Sequence, residues 1–220
     1  MPISPARRLA ITLAILGPLA ACSHGVRLSD AERGNLGKEP VIHVLHYQTA
    51  LPAIKSDGKT KLPTPQELRR AAGAEPAALI ATNLSRLLGR KEKLHNLKPE
   101  AKHLPRPVAE SALDHKPKYR RGLALELWVD HWSFEPVAGG PGQYAMQLVA
   151  RTRLGRIEDG RPLWSTGVCR VGGANNRAYR LAAGHLDNAL RLRKLLAAAR
   201  NECARQLMRD FDARDQPGKT

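Results

Sequence analysis

The chain of 220 residues carries 36 Lys and Arg against 20 Asp and Glu, a formal net charge of +16 at pH 7, and is 42% hydrophobic. This length suits one compact domain with a tail, and no nucleic-acid recognition motif accompanies the charge. In chain order the first element is an export signal: Arg7 and Arg8 form a short cationic start, and an apolar run from Leu9 closes on Ala20, Ala21 and Cys22. The run is about a dozen residues long and is interrupted by Gly17-Pro18, whereas a spanning helix needs roughly 20.

Leu19-Ala20-Ala21-Cys22 resembles the lipobox of bacterial lipoproteins. The resemblance implies that residues 1–21 are a signal peptide and that Cys22 is the lipidated N-terminus, its sulfur carrying a diacylglyceryl group. Ser23 at the next position implies the outer membrane, because aspartate there is the usual inner-membrane retention signal. One acyl chain binds membranes only marginally, so stable anchoring takes two or more signals, and lipoproteins of this type usually carry three chains. The alternative is an ordinary cleaved signal beside a coincidental cysteine.

Loss of residues 1–21 would remove Arg7 and Arg8 and leave 199 residues, with 34 basic against 20 acidic side chains, near +14. Outside the cytosol such a field suits anionic lipid, lipopolysaccharide phosphates or an acidic envelope protein rather than nucleic acid. The other reading is that solvated positions of an Ala-, Arg- and Leu-rich chain simply carry arginine. Cys169 and Cys203 remain as an even pair in an oxidising compartment and are expected to be bridged. A metal or redox role lacks C-x-x-C spacing and a nearby histidine cluster.

Residues 22–40 are polar and glycine-containing and read as a lipidated flexible tether. The single α+β domain then spans 41–213, and 214–220 is a disordered tail. Val41 to Tyr47 is a continuous β-branched and aromatic run, expected as a strand covered on both faces. Leu51 to Pro65 reads as a loop. Thr64-Pro65-Gln66-Glu67 is a capping-box start for a helix to about Ala72, stopped by Gly73. Pro76 opens a longer helix to about Glu92, with Leu79, Ile80, Leu84, Leu87 and Leu88 at helical spacing. Residues 93–121, with four prolines and few large apolar side chains, read as a long surface segment with one helical turn near Val108 to Leu113.

From Leu123 the alternation is that of a strand: Leu123, Leu125, Leu127 and Val129 on one face, and Ala124, Glu126, Trp128 and Asp130 on the other, which Trp132 and Phe134 continue. Gly139 to Gly142 turns the chain into a partner from Tyr144 to Leu154, and Ile157 to Arg161 turns it again into Leu163 to Cys169, a three-stranded meander. From Arg177 to about Ala213 the pattern is helical, with Leu192, Leu196, Ala199, Cys203 and Leu207 on one side and Tyr179, Leu186 and Leu190 displaced from it. A straight helix of that length, about 55 Å, exceeds the domain, so a break is expected around Gly184 to Asn188.

Little chemistry emerges from the spacing. His43 and His46 sit three apart on a strand and project to opposite faces, so the histidines read as scattered solvated groups and no metal or cofactor is expected. Ser56 and Lys59 have the S-x-x-K spacing of penicillin-binding enzymes, but Gly58 and the nearby prolines oppose the helix that chemistry needs. Trp128, Trp132 and Trp164 either form an aromatic ligand or partner surface or pack in the core, the latter favoured because Trp128 and Trp132 share a predicted face. No catalytic residue is assigned; a hydrolase assembled from distant positions would draw on Asp130, His131 and Ser133.

Glu158-Asp159-Gly160-Arg161-Pro162-Leu163-Trp164, then Cys169 in a strand and Cys203-Ala204 in a long helix, resemble small bacterial envelope lipoproteins that serve transport or secretion machines. The likeness covers about Leu123 to Phe211 and implies a sheet backed by helices, with no catalytic residues to transfer. The expected fold is therefore α+β: an antiparallel sheet of about four strands, Val41 to Tyr47 pairing with the meander, helices on one face and a long C-terminal helix. The expected role is a non-enzymatic accessory or scaffold, lipid-anchored in the outer membrane and facing the periplasm. Lipid or lipopolysaccharide binding within a transport system, or a periplasmic hydrolase, are the alternatives.

Overall fold

The computed structural model describes residues 26–100, 104, 118–165 and 167–213. Cys22, residues 1–21, the turn expected near Val108 to Leu113 and the tail at 214–220 lie outside the described residues. Within them the chain is α+β, with eight strands in one mixed sheet and helices against one face.

The chain is folded well before Pro40. Ser29 and Glu32 close a capping box on helix α1 (Asp30–Asn35), which continues into a 3-10 turn at Leu36–Lys38. Leu28 and Leu36 enter the main core, and Asn96 donates to the carbonyls of Leu36 and Glu39. The tether expectation therefore fails from Val26 onward. Its polar composition concealed two leucines at the spacing needed to straddle a short helix.

Strand β1 (Ile42–His46) is buried along its whole length, as its continuous hydrophobicity predicts. β2 (Ala53–Ile54) lies inside the expected loop and pairs in parallel with a later strand. Helix α2 (Pro65–Ala72) starts at the Thr64/Glu67 capping box and stops at Gly73, whose φ of 78° is the left-handed value that glycine adopts without strain. Helix α3 (Pro76–Lys91) follows, and buries Ile80, Leu84 and Leu88.

β3 (Leu97–Pro99) gives the 93–121 segment a strand, and Leu94 and Tyr119 are buried, so its described parts are more than a surface strap. β3 and β4 (Leu123–Pro136) both run parallel to β1. The antiparallel expectation fails because α2 and α3 cross one face between β1 and the later strands, and such a crossover returns the chain in the same direction.

β4 and β5 (Gln143–Arg156) form a long antiparallel hairpin, as expected. The third meander strand is split into β6 (Pro162–Trp164) and β7 (Val168–Gly172), both against β5. At Gly167, between them, an added Cβ would lie 2.5 Å from the Thr152 side chain, and its carbonyl accepts the Thr152 N–H at 2.8 Å.

Arg177 to His185 is not α-helical. It forms two 3-10 turns around the short strand β8 (Arg180–Ala182), which pairs with β5. Helix α4 (Ala189–Asp212) begins after the Asn188 cap, so the expected break is the helix start. Its stripe of Leu192, Leu196, Ala199, Cys203 and Leu207 is buried, and it packs against α2, α3 and β7. The Gln206 amide accepts from the Arg170 N–H and donates to the Arg170 carbonyl, which occupies the outer edge of β7.

Cys169 of β7 and Cys203 of α4 form a disulfide, with Cα atoms 5.1 Å apart and no exposure. The bond closes a loop over a separation of 34 residues, which limits the unfolded chain by about 3–4 kcal/mol in the entropy model. Reduction, or a Cys169→Ser/Cys203→Ser double variant, should lower unfolding stability by about that amount. Guanidinium titration with and without reductant checks this, and coincident curves would contradict it.

Candidate functional site

The sheet has two unlike faces. The one under the helices carries Ile42 and Val44 of β1, Leu123 to Val129 of β4 at every second position, and Tyr144, Met146, Leu148, Ala150 and Leu154 of β5. The register shifts between Val129 and His131, and this bulge moves every later residue of β4 to the opposite face. Trp132 and Phe134 thereby join the main core, edge to face at 6.4 Å, while Trp128 stays on the other face against Tyr47. Trp128 and Trp132 do not share a face, contrary to the strict alternation. Trp164 is buried, its indole N–H donating to Asp210 at 3.0 Å, with Phe211 edge-on at 5.1 Å. The three tryptophans form no common platform.

The second face is a field of paired charges. Glu126 is 2% exposed and is bonded by the Tyr47 hydroxyl and by Arg153. Burial first, then the neighbouring carboxylate, push the Tyr47 phenol far above its ordinary value, so it stays a donor. Asp130, in the bulge, takes Arg151 Nε at 2.5 Å. Lys55 pairs with Glu135 at 2.8 Å.

The bulge also brings His131 and Ser133 together, Nε2 to Oγ at 2.7 Å. Ser133 is only 1% exposed, and β2 lies alongside it, so the hydroxyl has no approach for an ester or amide carbonyl. Ser56 and Lys59 lie in a turn where Ser56 Oγ and Asp57 accept backbone N–H groups. The S-x-x-K spacing there is not helical.

His43 and His46 point to opposite faces but are buried, at 8% each, rather than solvated. His43 Nδ1 meets Glu100 at 3.0 Å, and its ring stacks on Tyr119 at 4.1 Å. Among the described residues no group of His, Cys, Asp and Glu could hold a metal.

Among the described residues, accessible grooves lie on the helical side. Two adjoining grooves of about 680 and 510 Å³ run between α2, the start of α3 and the N-terminal half of α4, and share Arg193. The first is lined by Lys61, Arg70 and Arg193 against Glu67 and Asp187. Glu67 is engaged in its cap, where the Thr64 N–H holds the carboxyl below its usual range. The second has Arg193, Lys194 and Arg200 over a floor of Leu79, Leu196 and alanines, and no carboxylate lines it.

Arg193 donates to the Ala71 carbonyl beside Gly73, whose missing Cβ would lie 3.0 Å from the guanidinium. Arg200 Nε is buried without a hydrogen-bond partner. Leu190 is 65% exposed at the rim. α4 has no acidic residue in its first turn, and Arg191 there opposes the helix dipole by about 0.3–1 kcal/mol. The sequence did place Leu190 off the buried stripe, but nothing in it paired α2 with α4.

No family model and no curated protein matches the chain. Among solved structures, protein XCC0632 from Xanthomonas campestris, of family DUF330, aligns at 11% identity over 86% of this chain and 95% of that one, with a TM-score of 0.35. The hypothetical protein CT253 from Chlamydia trachomatis aligns at 9% identity over 75% and 98%, with a TM-score of 0.32. Likeness this loose transfers neither a site nor an activity.

Two outcomes follow from the polar pairs. Tyr47→Phe leaves a Glu126 oxygen short of a donor and should destabilise the fold by about 1–3 kcal/mol, read by urea titration; an unchanged midpoint would remove the network from the stability account. For Glu100, burial works to raise the carboxyl, yet bonds from His43 and Tyr119 leave it below its ordinary 4.5. Its contribution is therefore present above that pH and is lost as pH falls through the lower folded value. In Glu100→Gln the urea midpoints at pH 7 and pH 3 should lie closer together than in wild type.

Proposed function

We propose that the protein is a non-enzymatic accessory lipoprotein of the bacterial envelope, anchored through acyl chains on Cys22 and facing the periplasm from the outer membrane. Its work is docking. The observation that carries this reading is the groove pair between α2 and α4, where five cations face two carboxylates across an apolar floor. The groove rests on a helix pinned by a disulfide, and a rigid platform is what a docking surface requires. The Cys169–Cys203 bond suits an oxidising compartment, in keeping with the export signal at Arg7 to Cys22.

A second reading draws on the same floor: a single lipid or lipopolysaccharide molecule with its chain along Leu79, Leu190 and Leu196 and its phosphate at the arginines. Both readings need the anchor. Metabolic labelling with a palmitate analogue should mark the wild-type protein and leave Cys22→Ser unmarked. A wild-type protein that takes up no label would remove the address and the accessory role together.

A further inference from the structure

The folded start of the chain gives the body a polarity. Val26 exchanges backbone and side-chain bonds with Ser165 at 2.8 and 2.9 Å, one residue after Trp164, whose indole holds Asp210 near the end of α4. Arg33 bonds the Phe211 carbonyl, lies 4.7 Å over the Phe211 ring and pairs with Glu92 at 3.3 Å. The chain thus enters the domain at the C-terminal end of α4. The cationic groove sits at the other end, at Leu190, Arg193 and Lys194.

Eighteen residues of helix separate Arg193 from Phe211, about 27 Å. Four residues separate Cys22 from Val26, a reach of at most about 14 Å. With α4 upright over an anchor at Cys22, the groove would stand about 27 Å further from the bilayer than the strap, beyond the reach of the four-residue leash.

We propose that the groove is a docking site for an acidic amphipathic helix of a periplasmic protein, and not for the bilayer that holds the anchor. This rests on the lipid-anchor reading. Charge complementarity selects an acidic occupant: Arg193, Lys194 and Arg200 line the inner groove without a carboxylate. The floor selects an apolar stripe, because Leu190 stands exposed beside Ala197 and Leu196, and small residues let a helix approach closely. A second copy of this chain is disfavoured by the same positive charge.

The test uses the full lipidated chain in phosphatidylcholine nanodiscs and in nanodiscs containing phosphatidylglycerol. The probe is a labelled synthetic helix of about 18 residues, ~27 Å, with a leucine stripe flanked by glutamates, and its control has lysines in their place. The acidic helix should bind equally in both discs and the control should not bind. Lys194→Glu and Leu190→Asp, both on exposed positions, should each weaken binding about tenfold, or 1.4 kcal/mol. Arg200→Gln, which changes no sign of charge, should weaken it less.

Binding that is indifferent to Lys194→Glu would overturn the docking site. Weaker binding in phosphatidylglycerol discs than in phosphatidylcholine discs would show the groove occupied by its own bilayer and overturn the proposal in favour of lipid. A mass spectrum of the native chain with no acyl group on Cys22 would sink the anchor reading alone, since the peptide titration decides the groove by itself.

Discussion

The fold depends on how one helix lies against one sheet. α4 buries Leu192, Leu196, Ala199, Cys203 and Leu207 against α2, α3 and β7, and the Cys169–Cys203 bond fixes the contact with the sheet near the helix middle. A 24-residue helix is about 36 Å long, about twice the length of the five-residue β7 to which it is bridged. Its C-terminal turns serve as the seat for Trp164 and the N-terminal strap, whereas its first turns overhang α2 and leave Leu190 in solvent. Asn83 and Asn201, 2.7 Å apart, tie α3 to the same helix.

The two faces of the sheet divide the labour. Under the helices, apolar burial supplies stability with little directional demand. On the other face Tyr47 and Arg153 meet the buried carboxylate of Glu126, where an unpaired charge would cost several kcal/mol. Those pairs tie neighbouring strands to one another across the sheet. The groove proposed for docking lies on the helical side, where five cations line it against two carboxylates.

Local features were legible from the residues. Thr64 to Glu67, Gly73 and Pro76 marked helix ends because capping is decided within four residues, and the Gly139 to Gly142 turn between alternating runs marked the hairpin. What failed were expectations extended beyond that range. Trp132 was assigned to the wrong face because a bulge depends on partner strands. Arg177 to His185 read as helix although Tyr179 and Leu186 lay off the main stripe, and pairing with β5 claims the segment. The α2/α4 groove left no trace in the sequence beyond an off-stripe Leu190 and an excess of arginine.

By itself the sequence determined the helix caps, the hairpin, the buried stripe of α4 and the pairing of its two distal cysteines, because each follows from chemistry between neighbours or from elimination among few candidates. Tertiary structure alone decided the parallel run of β1, the docking of Leu28 and Leu36, the face of Trp132 and the meeting of α2 with α4. These depend on residues distant in the chain, whose contacts are set by competition for a common core and carry no local periodicity.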